Sequence, residues 1–136
     1  MNCKLFSVIL FIYLYSPFTS AKTIVSPEYQ VNLVEVYSSQ GCSSCPPAER
    51  WLGQFINAPK LFTSFIPINF HIDYWDYLGW KDPYAIAEFT KRQRRYNALG
   101  HTRNVATPGF VVNGKGWEGW FRGKALTINN ERKVGR

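Results

Sequence analysis

The chain is short of cysteine, of histidine and of negative charge. Three cysteines in 136 residues exclude the dense disulfide framework of a small secreted scaffold. Beyond the cysteines only His71 and His101 could help complete a four-ligand zinc site, which weighs against metal capture without excluding it. Nine Asp and Glu against sixteen Lys and Arg leave a formal charge of +7. No apolar run reaches the roughly 20 residues that a membrane-spanning helix needs; the run Leu5 to Tyr15 is eleven residues long. Internal repeats and low-complexity tracts are missing too. Aromatic residues are plentiful, with ten Phe, eight Tyr and five Trp. That load excludes disorder, and the length suits one domain.

The N-terminus reads as a secretory signal peptide over residues 1–21. Lys4 is the positive n-region and Leu5 to Tyr15 the apolar core. Thr19 and Ala21 stand at the small-residue spacing of a cleavage site. An uncleaved anchor is the rival reading, and the apolar run is short for one. After cleavage no stable membrane span is expected. Cys3 leaves with the leader, so the mature chain keeps Cys42 and Cys45 in an oxidising compartment. Residues 22–30 form a linker, 31–122 the domain and 123–136 an extension.

Positive charge gathers late in the chain. From Lys81 onward there are twelve basic and four acidic residues, with Lys91, Arg92, Arg94 and Arg95 inside five positions. An exported chain rarely meets nucleic acid, so no nucleic-acid role is expected. The cluster reads as a solvated helix face, with an acidic partner or an anionic membrane surface as the alternative.

The element order predicts an α/β fold. Val31 to Tyr37 is β-branched and apolar, a central strand. Pro46 and Pro47 open a helix where their missing N–H groups cost nothing, with Ala48, Trp51, Leu52, Phe55 and Ile56 at helical spacing. Phe65 to Ile72 is a second strand, in which Pro67 implies a strand start or an edge. An aromatic loop, Asp73 to Trp80, follows. Asp82 reads as an N-cap with Pro83 at the first helical position, the helix running through Ile86, Phe89, Tyr96 and Leu99 to Gly100. Phe110 to Val112 is a short strand, Asn113-Gly114 a hairpin turn, and Trp117 to Phe121 the returning strand. The order is β-α-β-α-β-β, with helices crossing between parallel strands. A closing C-terminal helix is missing or not recognisable, so the chain is expected to be truncated, leaving one apolar face exposed.

Cys42-Ser43-Ser44-Cys45 lies where the first strand hands over to a helix. There free N–H groups and the positive end of the helix dipole favour a thiolate. Thiols three positions apart close a disulfide readily, and the pair can cycle. As a staple it is poor: a four-residue ring gains only about 2 kcal/mol in the loop-entropy account. Redox chemistry is the leading reading, with a static staple and capture of Cu(I) or another soft metal by both thiolates as rivals. Thr107-Pro108, just before the third strand, is expected to be a cis peptide lying against this pair, its backbone holding a substrate strand, as in a thioredoxin-type site.

Three stretches resemble a known family: Val34 to Ala48, His71 to Pro83, and Thr107 to Gly114. They are similar to exported thioredoxin-like proteins of the domain-of-unknown-function 1223 family, over most of residues 31–122. The resemblance implies a thioredoxin-like fold and a bacterial, periplasmic or secreted location, and it carries no proven reaction. Serines between the cysteines differ from the Gly-Pro of thioredoxin.

His71 and Asp73 end the second strand, at the sheet edge where α/β sites form. They are candidates to tune the thiolate or take a proton, or else a buried strand residue and a loop cap. Trp75, Tyr77 and Trp80 pack that loop or form a substrate-binding lip, Trp75 being the candidate substrate contact. The leading function is an exported thiol-disulfide oxidoreductase with Cys42 attacking and Cys45 resolving. It needs no cofactor beyond the Cys42–Cys45 disulfide, and acts on exported proteins or small thiols and disulfides. The alternatives are metal handling through Cys42 and Cys45, and a non-catalytic interaction module.

Overall fold

A computed structural model describes residues 27–128 and 132–133. The signal peptide expected over residues 1–21 lies outside them. In chain order the elements are β1 (Asn32–Ser38), α1 (Pro46–Gly53), β2 (Phe65–His71), α2 (Ala87–Ala98), β3 (Gly109–Val112) and β4 (Lys115–Gly116). Single 3-10 turns occupy Gln54–Asn57, Asp76–Leu78 and Trp120–Arg122.

The strands form one sheet of order β2-β1-β3-β4. β1 is central and fully flanked. It runs parallel to β2, with Ser38 opposite His71, and antiparallel to β3, with Val36 opposite Phe110. A helix crossing between parallel strands therefore describes only β1-α1-β2; the expectation of a further parallel strand fails, since α2 leads into an antiparallel one. β2 lies at the sheet edge, where Pro67 costs no ladder bond. This mixed α/β sheet with two helices is compatible with a thioredoxin-like fold.

Alternation along the strands sorts two cores. On the α1 side Val36, Ala48 and Phe110 are buried beneath Trp51, Leu52, Trp117 and Trp120. On the other side Tyr37, Ile72 and Val111 pack with Phe70, Tyr74, Trp75 and Tyr96. Trp51 stacks on Trp117 at 5.6 Å and Phe110 on Trp120 at 5.0 Å. These contacts correct the expected strand from Trp117 to Phe121. Residues three apart in a strand face opposite sides, whereas the 3-10 turn lets both indoles reach one cluster.

Helix α2 departs from its sequence pattern. It begins at Ala87 rather than at Pro83, and Asp82 is no helix cap. Ile86 and Leu99, expected on its apolar stripe, are exposed, while Thr90 and Gln93 are buried. Gly100, in the left-handed region at φ +73, ends the helix as expected. The basic face is split as well: Lys91, Arg94 and Arg95 are exposed, but Arg92 reaches inward to the buried Glu35 carboxylate at 2.8 Å.

Candidate functional site

β1 leads directly into the cysteine turn. The Ser39 hydroxyl accepts the Gly41 N–H at 3.1 Å. Backbone N–H groups of Cys42 and Cys45 donate to the carbonyls of Ser39 and Cys42. Cys42 and Cys45 are joined as a disulfide with their Cα atoms 5.4 Å apart. Cys42 is 5% exposed and Cys45 is fully buried, so Cys42 is the cysteine nearer to solvent.

Cys45 is the N-cap residue of α1, and Pro46 and Pro47 fill its first positions. Neither proline has an N–H. The next two donors, Ala48 and Glu49, are both taken by the Cys45 carbonyl, at 2.9 and 3.1 Å. The expectation that free helix N–H groups serve a thiolate is thus corrected. The dipole of α1 remains, and the group beside the Cys42 sulfur is the Ser44 hydroxyl, at 3.5 Å.

The aromatic loop, and Asp82 just after it, meet this turn at three points. Gly41 lies close against Trp75: a Cβ there would stand 3.2 Å from the Trp75 Cβ, so a side chain before Cys42 would need the loop to give by a few tenths of an ångström. The Trp80 indole N–H donates to the Gln40 side-chain carbonyl at 2.8 Å. Asp82 accepts the Gln40 backbone N–H at 2.8 Å. Trp75 continues across the site and donates its indole N–H to the Thr107 hydroxyl at 2.7 Å. The Thr107–Pro108 bond is cis, as the sequence predicts, and Pro108 is buried. Gln93 holds the same loop from behind, donating to the Ala106 carbonyl at 2.7 Å. Trp75 therefore links the position before Cys42 to the Thr107–Pro108 loop. Tyr77 and Trp80 of the aromatic loop are 77% and 61% exposed.

His71 and Asp73 belong to different arrangements. His71 Nδ1 meets Asp82 Oδ2 at 2.6 Å and its Nε2 meets the Asn69 amide at 3.1 Å. The Ser38 hydroxyl donates to Asn69 Oδ1, which leaves the amide N–H for His71 Nε2 and the proton of the ring on Nδ1. Burial pushes the Asp82 carboxyl up, but donors from Gln40, His71 and Tyr84 outweigh it and hold it below the ordinary carboxylate range. Asp73 instead accepts the Thr90 hydroxyl at 2.6 Å while its N–H donates to that oxygen, so it joins the loop to α2. Asp82, Gln40, Asn69 and Gln93 were not singled out by sequence as site residues. Only the placing of Thr90 and Gln93 three apart on one helix face hinted at a polar contact there.

Two cavities flank the region. One, of about 760 Å³, opens beyond Pro108 between the 100–106 segment and the β3–β4 hairpin. The other, of about 570 Å³, is lined by Gln40, Glu49, Asn69, His71, Tyr84 and Phe89. Among the described residues no group of three or more His, Cys, Asp or Glu is arranged to hold a metal ion, and no helix is long and apolar enough to cross a membrane.

A family model described as a protein of unknown function, DUF1223, matches residues 33–132. Among curated proteins none matches the chain. The crystal structure of an Agrobacterium tumefaciens protein, a structural-genomics target, is similar at 38% identity with a TM-score of 0.52. The match covers 67% of this chain and 38% of that one. The chain thus spans well under half the length of that relative.

Proposed function

The chain belongs to the DUF1223 family, and we propose that it works there as an exported thiol-disulfide oxidoreductase. The observation that carries this reading is the disulfide between a nearly buried Cys42 and a fully buried Cys45 at the β1–α1 junction. Around it Trp75 ties the turn to the Thr107–Pro108 loop. A four-residue ring adds only about 2 kcal/mol as a staple, little reason by itself to build such surroundings. The apolar N-terminal run supports export to an oxidising compartment.

In the reducing direction the Cys42 thiolate attacks a substrate disulfide. An S–S bond forms between Cys42 and one substrate sulfur, and the other sulfur leaves as a thiolate that takes a proton from water. Cys45 then attacks Cys42, the Cys42–Cys45 bond forms, and the second substrate sulfur leaves. Two electrons pass from the dithiol to the substrate; the reverse sequence oxidises a substrate dithiol. Substrates are exported proteins or small thiols and disulfides. The Ser44 hydroxyl 3.5 Å from the Cys42 sulfur is placed to donate to a thiolate there.

The test is exchange itself. The full chain, reduced and freed of reductant, is mixed with glutathione disulfide and with a disulfide-bonded peptide, and released thiol is followed. Catalysed release that vanishes in Cys42→Ser supports the reading. Release equal to the uncatalysed rate overturns it.

A further inference from the structure

We infer that Glu49 is the proton acceptor that allows buried Cys45 to act as the resolving thiol. The inference rests on the exchange reading above and assigns a residue which that reading does not use.

Among the described residues two buried side-chain polar atoms have no hydrogen-bond partner, Glu49 Oε1 and Thr102 Oγ1. Leaving a buried acceptor unpaired costs stability, so such an atom calls for a reason. Thr102 carries a hydroxyl and has no proton to exchange near neutral pH. Glu49 carries a carboxylate, and it stands four residues after Cys45 in α1, with its N–H bonded to the Cys45 carbonyl at 3.1 Å. Side chains at that spacing share a helix face, with Cβ atoms about 5–6 Å apart. The i, i+4 spacing therefore places the Glu49 side chain on the same side of the α1 N-terminus as its N-cap residue Cys45.

Cys45 needs such a group. It is 0% exposed, and burial disfavours the charged thiolate that attacks. Pro46 and Pro47 remove two helix donors that would otherwise offset this, and Cys45's own carbonyl occupies the next two. Of the other polar groups on the cavity that Glu49 lines, Tyr84 is mostly exposed, and two more are engaged. His71 has both ring nitrogens paired, with Asp82 and Asn69, and Gln40 receives the Trp80 indole. Glu49 lines that cavity, whose volume of about 570 Å³ has room for water to relay a proton outward.

The step balances. Cys45 Sγ–H gives its proton to the Glu49 carboxylate, and the resulting thiolate attacks the Cys42 sulfur of the mixed disulfide. The Cys42–Cys45 bond forms, and the substrate sulfur leaves with the electron pair. Glu49 then returns the proton to solvent through the cavity.

An aromatic disulfide that liberates a coloured thiolate separates the two half-steps in the full chain. Cys42 attack releases the first equivalent and Cys45 resolution the second. In Glu49→Gln the first phase stays as in wild type and the second slows about 100-fold, the lower end of what a lost general base costs. Glu49→Ala slows the second phase similarly, and added formate speeds it again by entering the vacated space, with no such effect on Glu49→Gln. A second phase within about twofold of wild type in both variants overturns the assignment. So does equal slowing of both phases, which would report a disturbed turn. If the wild type releases neither equivalent, the exchange reading itself falls, and this inference with it.

Discussion

The Arg92 guanidinium holds the Glu35 carboxylate with two hydrogen bonds, 2.8 Å from Nε and 3.0 Å from Nη2. Glu35 is fully buried in the central strand, and Tyr37 and Tyr96 add their hydroxyls at 2.7 and 2.8 Å. The guanidinium also lies 5.4 Å from the Phe70 ring centre and 5.2 Å from that of Tyr96. One residue of a basic surface run thus closes the polar centre of the α2-side core. Arg92→Ala leaves a buried carboxylate without its cation. Breaking a buried pair costs about 3–5 kcal/mol, and the 41% exposure of the Arg92 side chain argues for less, about 2–3 kcal/mol. Urea denaturation measures this, and a loss under about 0.5 kcal/mol contradicts it. Arg94→Ala, at an exposed position, is expected to change stability by less than about 0.5 kcal/mol.

Acid sensitivity follows from two buried carboxylates. Burial pushes Glu35 up, but hydrogen bonds from Arg92, Tyr37 and Tyr96 outweigh it and hold it below its ordinary value; Asp82 is held low in the same way. A carboxyl depressed by folding contributes stability that is complete above its unfolded value, about 4. That stability is lost as pH falls through the lower folded value. Stability measured by urea from pH 7 to pH 3 is therefore expected to decline below about pH 4.5. Asp82→Asn should flatten that decline while lowering stability at pH 7. An unchanged acid slope in Asp82→Asn would refute its share.

Close packing behind the Thr107–Pro108 loop makes a paired glycine test. A Cβ on Gly109 would stand 2.7 Å from the Ala106 carbonyl oxygen and 2.9 Å from Gln93 Nε2. Gly109→Ala is expected to cost about 1–3 kcal/mol. Gly53, at the end of α1, has nothing within 4 Å of such a Cβ, so Gly53→Ala should be neutral or stabilising by up to about 1 kcal/mol. Thermal melts of both variants decide it, and a neutral Gly109→Ala would contradict the packing.

The sequence made the strands and the cysteine turn legible because their signals are local. β-branched runs, a double proline after Cys45 and Asn113-Gly114 each act within a few residues. Features set by distant partners were not legible. Asp82 has the composition of a helix cap, but it is drawn inward by Gln40 and His71, 42 and 11 residues away. Glu35 sits in a strand otherwise read as apolar, and its cation comes from a helix 57 residues later. α2 buries Thr90 and Gln93 because Asp73 and the Ala106 carbonyl await them, a reason no hydrophobic periodicity reveals. The cysteines themselves were plain, whereas the donors expected for the thiolate were cancelled by the prolines that mark the helix start.

Unequal cysteines give a trapping prediction. With Cys42 5% exposed and Cys45 at 0%, the proposed exchange predicts that Cys42 attacks and Cys45 resolves. Cys45→Ser, expressed as the full 136-residue chain, should accumulate reducible adducts with exported proteins on non-reducing gels, and Cys42→Ser should accumulate none. Adducts from Cys42→Ser alone would reverse the roles.

The central claim is that Cys42 and Cys45 cycle between dithiol and disulfide. Equilibrating the full chain in graded mixtures of reduced and oxidised glutathione, then quantifying free thiols after acid quench, tests it most directly. A cycling pair is expected to show a reversible two-electron transition, with a midpoint above the roughly −300 mV below which structural disulfides resist glutathione. Approach from the oxidised and from the reduced side should give one curve. A disulfide that stays closed across every mixture, or thiols that never re-form it, would contradict the claim.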